Sequence, residues 1–291
     1  MGSGVAIVTP FNEDNEVNYD IFEELIEMHI NNKTDAIIVC GTTGEASAMT
    51  VDEHLSCISF AVNKVKKRIP VIAGCGSNDT AHAVTMSKSA QRLGADALLS
   101  VTPYYNKANK EGLISHYKAI AAACDIPIIL YNVPQRTGVN IPIDVLKELS
   151  LVDNIVGIKE ASQNMSYAAQ IASEINALYL YSGNDDITVP VMSLGGVGVI
   201  SVAANIVPDK MHDMCANYLN GNIGLSKQIQ LDLLPLINKL FLEVNPVCIK
   251  RAMREIGYNV GKTRLPLGKM DEKNEKILIN EINKYRIKKL S

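Results

Sequence analysis

A lysine closes the apolar run Ile155-Val156-Gly157-Ile158-Lys159. Val and Ile at this density predict a strand covered on both faces. Burial of an amine at the end of such a strand disfavours its charged form. A neutral amine attacks carbonyl carbon, so Schiff-base chemistry is the natural use of Lys159. The same lysine could instead leave the sheet and carry its charge to solvent along its methylene stem. Lys159 alone does not decide between the two.

Three other polar segments follow apolar runs. Tyr131-Asn132-Val133-Pro134-Gln135-Arg136-Thr137-Gly138 lies one strand-and-helix unit before Lys159. A phenol beside an amine can pass protons during imine formation, and the Arg136 guanidinium can clamp a carboxylate through two parallel bonds. Taken separately, an aromatic core filler and a surface arginine explain these two residues as well. Gly41-Thr42-Thr43-Gly44-Glu45 sets two hydroxyls between glycines that let backbone amides approach a small anion. It lacks the GK[ST] ending of a phosphate loop, and an ordinary turn with a capping threonine would look the same. Thr102-Pro103-Tyr104-Tyr105-Asn106 places paired tyrosines on a loop, a pattern suited to subunit contacts or to a hydroxyl relay. Gly195-Gly196-Val197-Gly198 precedes a strand rather than a helix and is read as a tight turn.

Strand-like runs fall at 5–9, 35–40, 71–74, 97–102, 128–132, 155–159, 178–182 and 197–202. Helical patterns fill the gaps, among them 19–31, 111–124 and 143–149, and Thr50-Val51-Asp52-Glu53 has the form of a capping box. Eight units repeating at roughly 30 residues predict an α/β fold, a (β/α)8 TIM barrel. A doubly wound sheet is the alternative, but no GxGxxG follows the first strand. Past Asn220-Gly221-Asn222 only helical periodicity remains, broken at Asn245-Pro246 and around Arg264-Leu265-Pro266-Leu267-Gly268. The expected organisation is a barrel over 1–222 and a C-terminal helical domain of about three helices over 223–291. In a barrel of this kind the chemistry sits at the C-terminal ends of the strands, which is where the polar segments fall.

The chain has 291 residues, 47% of them hydrophobic and 20% charged, with a net charge of −3. That balance argues against a nucleic-acid partner. No apolar stretch reaches the ~20 residues of a membrane span, and no signal peptide is expected. Six dispersed cysteines without a CxxC pair predict reduced, buried thiols and a cytoplasmic protein. Five dispersed histidines make a metal-centred mechanism improbable. A catalytically silent barrel would not require Lys159, Tyr131, Thr42 and Arg136 together. A phosphate- or flavin-binding barrel would want a glycine-rich loop where this chain has Gly183-Asn184-Asp185-Asp186, whose carboxylates repel phosphate.

Together these motifs resemble the pyruvate-dependent Schiff-base aldolases of the N-acetylneuraminate lyase type, and among them the dihydrodipicolinate synthase branch. The resemblance runs from Val5-Ala6-Ile7-Val8-Thr9-Pro10 through the segments above and Gly157-Ile158-Lys159-Glu160 to Asn245-Pro246. It implies that Lys159 forms an imine with pyruvate and Tyr131 shuttles protons. It implies that Thr42 links Tyr131 to Tyr105, which reaches in from a neighbouring subunit. Thr43 would hold the pyruvate carboxylate, and Gly183 and Ile200 would line the pyruvate pocket, Ile200 through its backbone. Arg136 would bind the carboxylate of L-aspartate 4-semialdehyde; sialic acid lyases typically lack the Arg-Thr-Gly continuation and carry Ser in place of Thr42. The implied activity is a lyase-type condensation in diaminopimelate and lysine biosynthesis. It needs no metal or organic cofactor and is carried out by a homotetramer. Another pyruvate-dependent aldolase, acting on sialic or keto-deoxy sugar acids, is the alternative. Lysine-inhibited members bind lysine near positions matching Ser47, His54, Asn78 and Tyr104. Here Val51 stands in place of a histidine and His82 in place of a glutamate, so weak or absent inhibition is expected.

Overall fold

The computed structural model describes residues 1–290. Its centre is a closed ring of eight parallel strands in sequence order. They are β1 (Gly2–Ala6), β2 (Ala36–Val39), β3 (Val71–Gly74), β4 (Ala97–Val101), β5 (Ile128–Asn132), β6 (Ile155–Glu160), β7 (Tyr179–Ser182) and β8 (Gly198–Ser201). The helices around it are α1 (Tyr19–Asn31), α2 (Val51–Val65), α3 (Thr80–Arg92), α4 (Lys110–Ala121), α5 (Pro134–Thr137), α6 (Ile143–Leu149), α7 (Met165–Glu174), α8 (Thr188–Ser193) and α9 (Pro208–Leu219). Three more follow: α10 (Ile223–Leu240), α11 (Val247–Glu255) and α12 (Glu272–Tyr285).

The predicted strands all form, and β3 and β5 have the expected bounds. The first is displaced toward the N-terminus. Val5-Ala6-Ile7-Val8 looks like one strand, but pairing starts at Gly2, opposite Gly198 of β8, and ends at Ala6. Gly2 and Gly198 close the ring because nothing larger fits. Gly198 has φ +148°, and a Cβ there would lie 1.9 Å from the Gly2 carbonyl oxygen. A glycine-rich start carries no hydrophobic signal, so the sequence pattern misplaces it.

Outer helices form for local reasons. Asn18 caps α1 through its side-chain oxygen, and Phe22, Leu25 and Ile26 face the barrel, fully buried. Each such side chain contributes about 1.5–3 kcal/mol. The capping box at α2 is present, with Thr50 and Glu53 each bonding the other's backbone N–H. It is worth about 1 kcal/mol.

The C-terminal helices are fastened to the barrel through a buried cluster of charges. Lys250 of α11 pairs with Glu45 at 2.7 Å, and both side chains are 1% exposed. The ammonium also donates to the Lys262 carbonyl and sits 4.1 Å from the Phe11 ring centroid. Burial pushes Lys250 down to about 8, against the opposing pull of Glu45. Arg264 covers Phe11 beside it, donates its backbone N–H to Glu45, and grips Glu53 with two guanidinium nitrogens. Substitution Lys250→Met strands the Glu45 carboxylate in a dry interior. It should cost about 3–5 kcal/mol, read as a lower urea midpoint, and adding Glu45→Gln should recover part of the loss.

Candidate active site

Tyr131 and Lys159 are register partners on β5 and β6. In a parallel pair, partners point to the same face, here into the barrel mouth. The Lys159 Nζ lies 4.3 Å from the Tyr131 ring centroid. The two residues are only 6% and 7% exposed. Lys159 forms no ion pair among the described residues, so its amine is available to a ligand.

A cavity of about 220 Å3 opens above them. Lys159, Tyr131, Thr42, Thr43, Arg136 and Gly183 all line it. Six predicted residues from four separate segments therefore share one wall. That volume suits a molecule of a few heavy atoms rather than a nucleotide.

The loop with both threonines is tightly built. Cys40 and Glu45, at its two ends, adopt left-handed backbone at φ 55° and 58°, an uncommon state for residues with a Cβ. Gly44 N–H bonds the Gly41 carbonyl and Glu45 N–H bonds that of Thr42. Thr9 donates its hydroxyl to the Gly44 carbonyl. Thr43 accepts a 2.9 Å bond from the Asn245 side-chain amide, and the Asn245 carbonyl accepts one from Arg136 at 3.1 Å. Asn245 thus braces both a hydroxyl and the guanidinium of the same cavity. Arg136 itself rides on α5, one short turn opened by Pro134 and closed by Gly138 at φ 70°.

Two further predicted residues do not line this cavity with their side chains. Ile200 is buried in the inner barrel cluster with Tyr131 and Ala6. Its side chain lines a lower cavity at the N-terminal ends of the strands, away from Lys159. Tyr105 is 90% exposed at φ 71° and is absent from the walls around Lys159. This chain does not bring its own Tyr105 to its own Tyr131.

Asn245 and Asp185 escaped sequence reasoning as site residues. Asp185 is fully buried beside Lys159 and accepts the backbone N–H groups of Val202 and Ala203. Burial pushes its carboxyl up, opposed by those bonds, by Ser201 and by the nearby Lys159 charge. Its only sequence signal is its position just after a strand, in Gly183-Asn184-Asp185-Asp186. Asn245 reaches the site from the helical extension, and no local pattern announces that reach.

A second cavity of about 290 Å3 adjoins the first through Thr42, Tyr131 and Arg136. Ser47, His54, His82 and Tyr104 line it, while Asn78 and Val51 do not. His54 bonds the Gly74 carbonyl at 2.8 Å, and burial lowers its pKa. All six cysteines are buried and free. Among the described residues no cluster of three or more His, Cys, Asp or Glu side chains is placed to hold a metal ion. No described helix is long and apolar enough to cross a membrane.

The family model described as the dihydrodipicolinate synthetase family matches residues 1–284. The chain belongs to this family. A Thermoanaerobacter relative named 4-hydroxy-tetrahydrodipicolinate synthase is 56% identical over 290 residues, covering 99% of this chain and 97% of its own. The chloride-inhibited dihydrodipicolinate synthase of Acinetobacter baumannii, solved in complex with pyruvate, superposes with a TM-score of 0.96 at 42% identity. That match covers 98% of this chain and 99% of the other. The Cyanidioschyzon merolae enzyme, solved with lysine bound, gives 0.93 at 38% identity and covers 97% of both chains. For a member of the dihydrodipicolinate synthetase family, the strand pair under the cavity is the element to perturb. A Cβ on Gly183 would lie 2.5 Å from that of Ala161 and 3.0 Å from the Glu160 carbonyl oxygen. Substitution Gly183→Ala should prise β7 from β6 and cost about 1–3 kcal/mol, checked by thermal unfolding.

Proposed function

We propose that this protein condenses pyruvate with L-aspartate 4-semialdehyde to give 4-hydroxy-tetrahydrodipicolinate, the committed step toward diaminopimelate and lysine. The observation that carries the reading is the Tyr131–Lys159 pair facing one small cavity with Thr43 and Arg136 on its walls. The full-length match to relatives of that name supports it.

In this reading the Lys159 amine attacks the ketone carbon of pyruvate. Tyr131 moves the proton that turns the carbinolamine hydroxyl into leaving water, and an imine results. Loss of a methyl proton then gives an enamine, which spreads charge that a free carbanion would concentrate. The enamine carbon attacks the aldehyde of the second substrate. The substrate's own amine displaces Lys159, which closes the ring and regenerates the enzyme. Thr43 and its backbone amide hold the pyruvate carboxylate. Arg136, propped by Asn245, takes the carboxylate of the semialdehyde. Gly183 leaves room for pyruvate, and Ile200 contributes through its backbone. No organic cofactor or metal enters this scheme, because the imine itself is the electron sink.

Assembly belongs to the same proposal. An exposed tyrosine phenol on left-handed backbone suits delivery to a second subunit, where Thr42 would connect it to that subunit's Tyr131. The working form is then a cytoplasmic homotetramer, with the barrel of 1–222 as the catalytic unit and helices α10–α12 as its brace.

Borohydride reduction in the presence of pyruvate tests the chemistry. A pyruvate-sized adduct should map to Lys159 and vanish in Lys159→Ala; an adduct that persists in this variant would sink the assignment. Coupled turnover with aspartate semialdehyde, set against N-acetylmannosamine, then identifies the acceptor. Lysine titration is a separate check. With His82 in place of a carboxylate in the second cavity and Val51 outside it, lysine at physiological concentration should leave the rate nearly unchanged, and strong inhibition would contradict this.

A further inference from the structure

The residues that follow Tyr131 and Lys159 are also register partners, Asn132 with Glu160. Alternation along a strand turns them to the opposite face, between barrel and helices, where Asn132 is 0% and Glu160 4% exposed. The Asn132 amide donates to one Glu160 oxygen at 2.7 Å. The other Glu160 oxygen accepts the Ser162 N–H. The Asn132 oxygen accepts the Ile141 N–H at 3.0 Å, and its amide also reaches Asn140 at 2.8 Å. A carboxylate with two donors and an amide used at both ends leave this pair a single good arrangement.

The same two strands are irregular just below. Ile128 pairs with Ile155, but Ile129 pairs with Gly157, so Val156 has no partner. A bulge of this kind leaves a competing register one residue away, and a one-residue slip turns every side chain to the other face. The slipped register would set Lys159 against Asn132 instead of Tyr131. Backbone bonding does not discriminate strongly between the two, because parallel ladders are evenly spaced. Ring closure constrains this pair through its neighbours, and the buried Asn132–Glu160 bond, one residue from the reacting groups, is the side-chain contact that tells the two registers apart beyond the bulge.

We propose that Asn132 and Glu160 are positioning residues: their hydrogen bond on the outer face fixes the register that sets Tyr131 against Lys159 on the inner face. Neither side chain is among those lining the substrate cavity. The inference rests on the Schiff-base reading of Lys159.

Exchange of the two groups tests it. Glu160→Gln sets an amide donor against the Asn132 donor or against the Ser162 N–H, whichever way it turns. Asn132→Asp sets two carboxyl groups face to face. The combined variant, Asn132→Asp with Glu160→Gln, restores one donor against one acceptor while each backbone N–H keeps its oxygen. The readouts are the rate of borohydride trapping at saturating pyruvate, kcat, KM for pyruvate, and melting temperature.

Each single variant should slow trapping and kcat by roughly ten- to a hundredfold, because only the fraction of molecules that keeps the native register reacts, with KM changed much less. The exchanged pair should recover most of both rates. A single variant that traps within about twofold of the parent overturns the proposal, as does an exchanged pair that fails to fold or is no faster than the slower single variant. Lower melting temperatures with parental rates also overturn it, because they assign the bond to stability alone. A parent protein that forms no adduct rejects the Schiff-base reading itself, which keeps the two failures apart.

Discussion

Closure of the parallel ring is the constraint on which this molecule depends. Eight strands in sequence order leave no free edge, so the register of each pair is tied to that of every other. Gly2 and Gly198 are the point of closure, and their missing side chains let β8 reach β1. Once the ring is shut, residues distant in sequence meet at one mouth without any local signal bringing them together. Tyr131 and Lys159 meet because β5 and β6 are neighbours, and Thr42 and Thr43 join them from the loop after β2.

The ring alone leaves the mouth loops underdetermined. Loop 41–45 holds left-handed backbone at both flanks, a state that persists only when its surroundings enforce it. The enforcement comes from the far end of the chain. Lys250 and Arg264 bond Glu45, and Asn245 bonds Thr43. A fully buried ion pair is weak evidence for stability by itself, because desolvation offsets most of its attraction. Here the pair has a geometric role: it permits only one position of the loop relative to α11.

The barrel was legible in the sequence because its signals are local and repeated. The strand runs 71–74 and 128–132 and the helix 19–31 have the bounds that hydrophobic pattern predicts. So does the capping box at Thr50 and Glu53, which needs only four residues to be recognised. Legibility failed where meaning depended on a distant partner. The strand at Gly2 was hidden because glycine there answers to β8. Asn245 read only as a helix breaker, since its two contacts lie at Thr43 and Arg136. Asp185 and Glu160 read as loop or strand-end carboxylates, and their burial is a property of the closed ring. Tyr105 marks a different limit, because the contact expected of it lies outside one chain. Lys159, Tyr131, Thr42, Thr43, Arg136 and Gly183 are legible together because each lies at or just past the C-terminal end of a strand, and strand ends are what a parallel barrel gathers.

The clamp on Glu45 also sets an order of events during synthesis. Chains emerge from the ribosome N-terminus first, and domains fold largely in that order. The loop with Thr42 and Thr43 leaves early, whereas Asn245, Lys250 and Arg264 leave after all eight strands. A nascent chain can therefore assemble its barrel while the carboxylate of Glu45 still has no cation beside it. At that stage the loop with Thr42 and Thr43 lacks the contacts from Asn245, Lys250 and Arg264 that hold it in the finished fold. Arrival of α11 and the segment to Arg264, rather than closure of the barrel, is the moment at which this loop is locked.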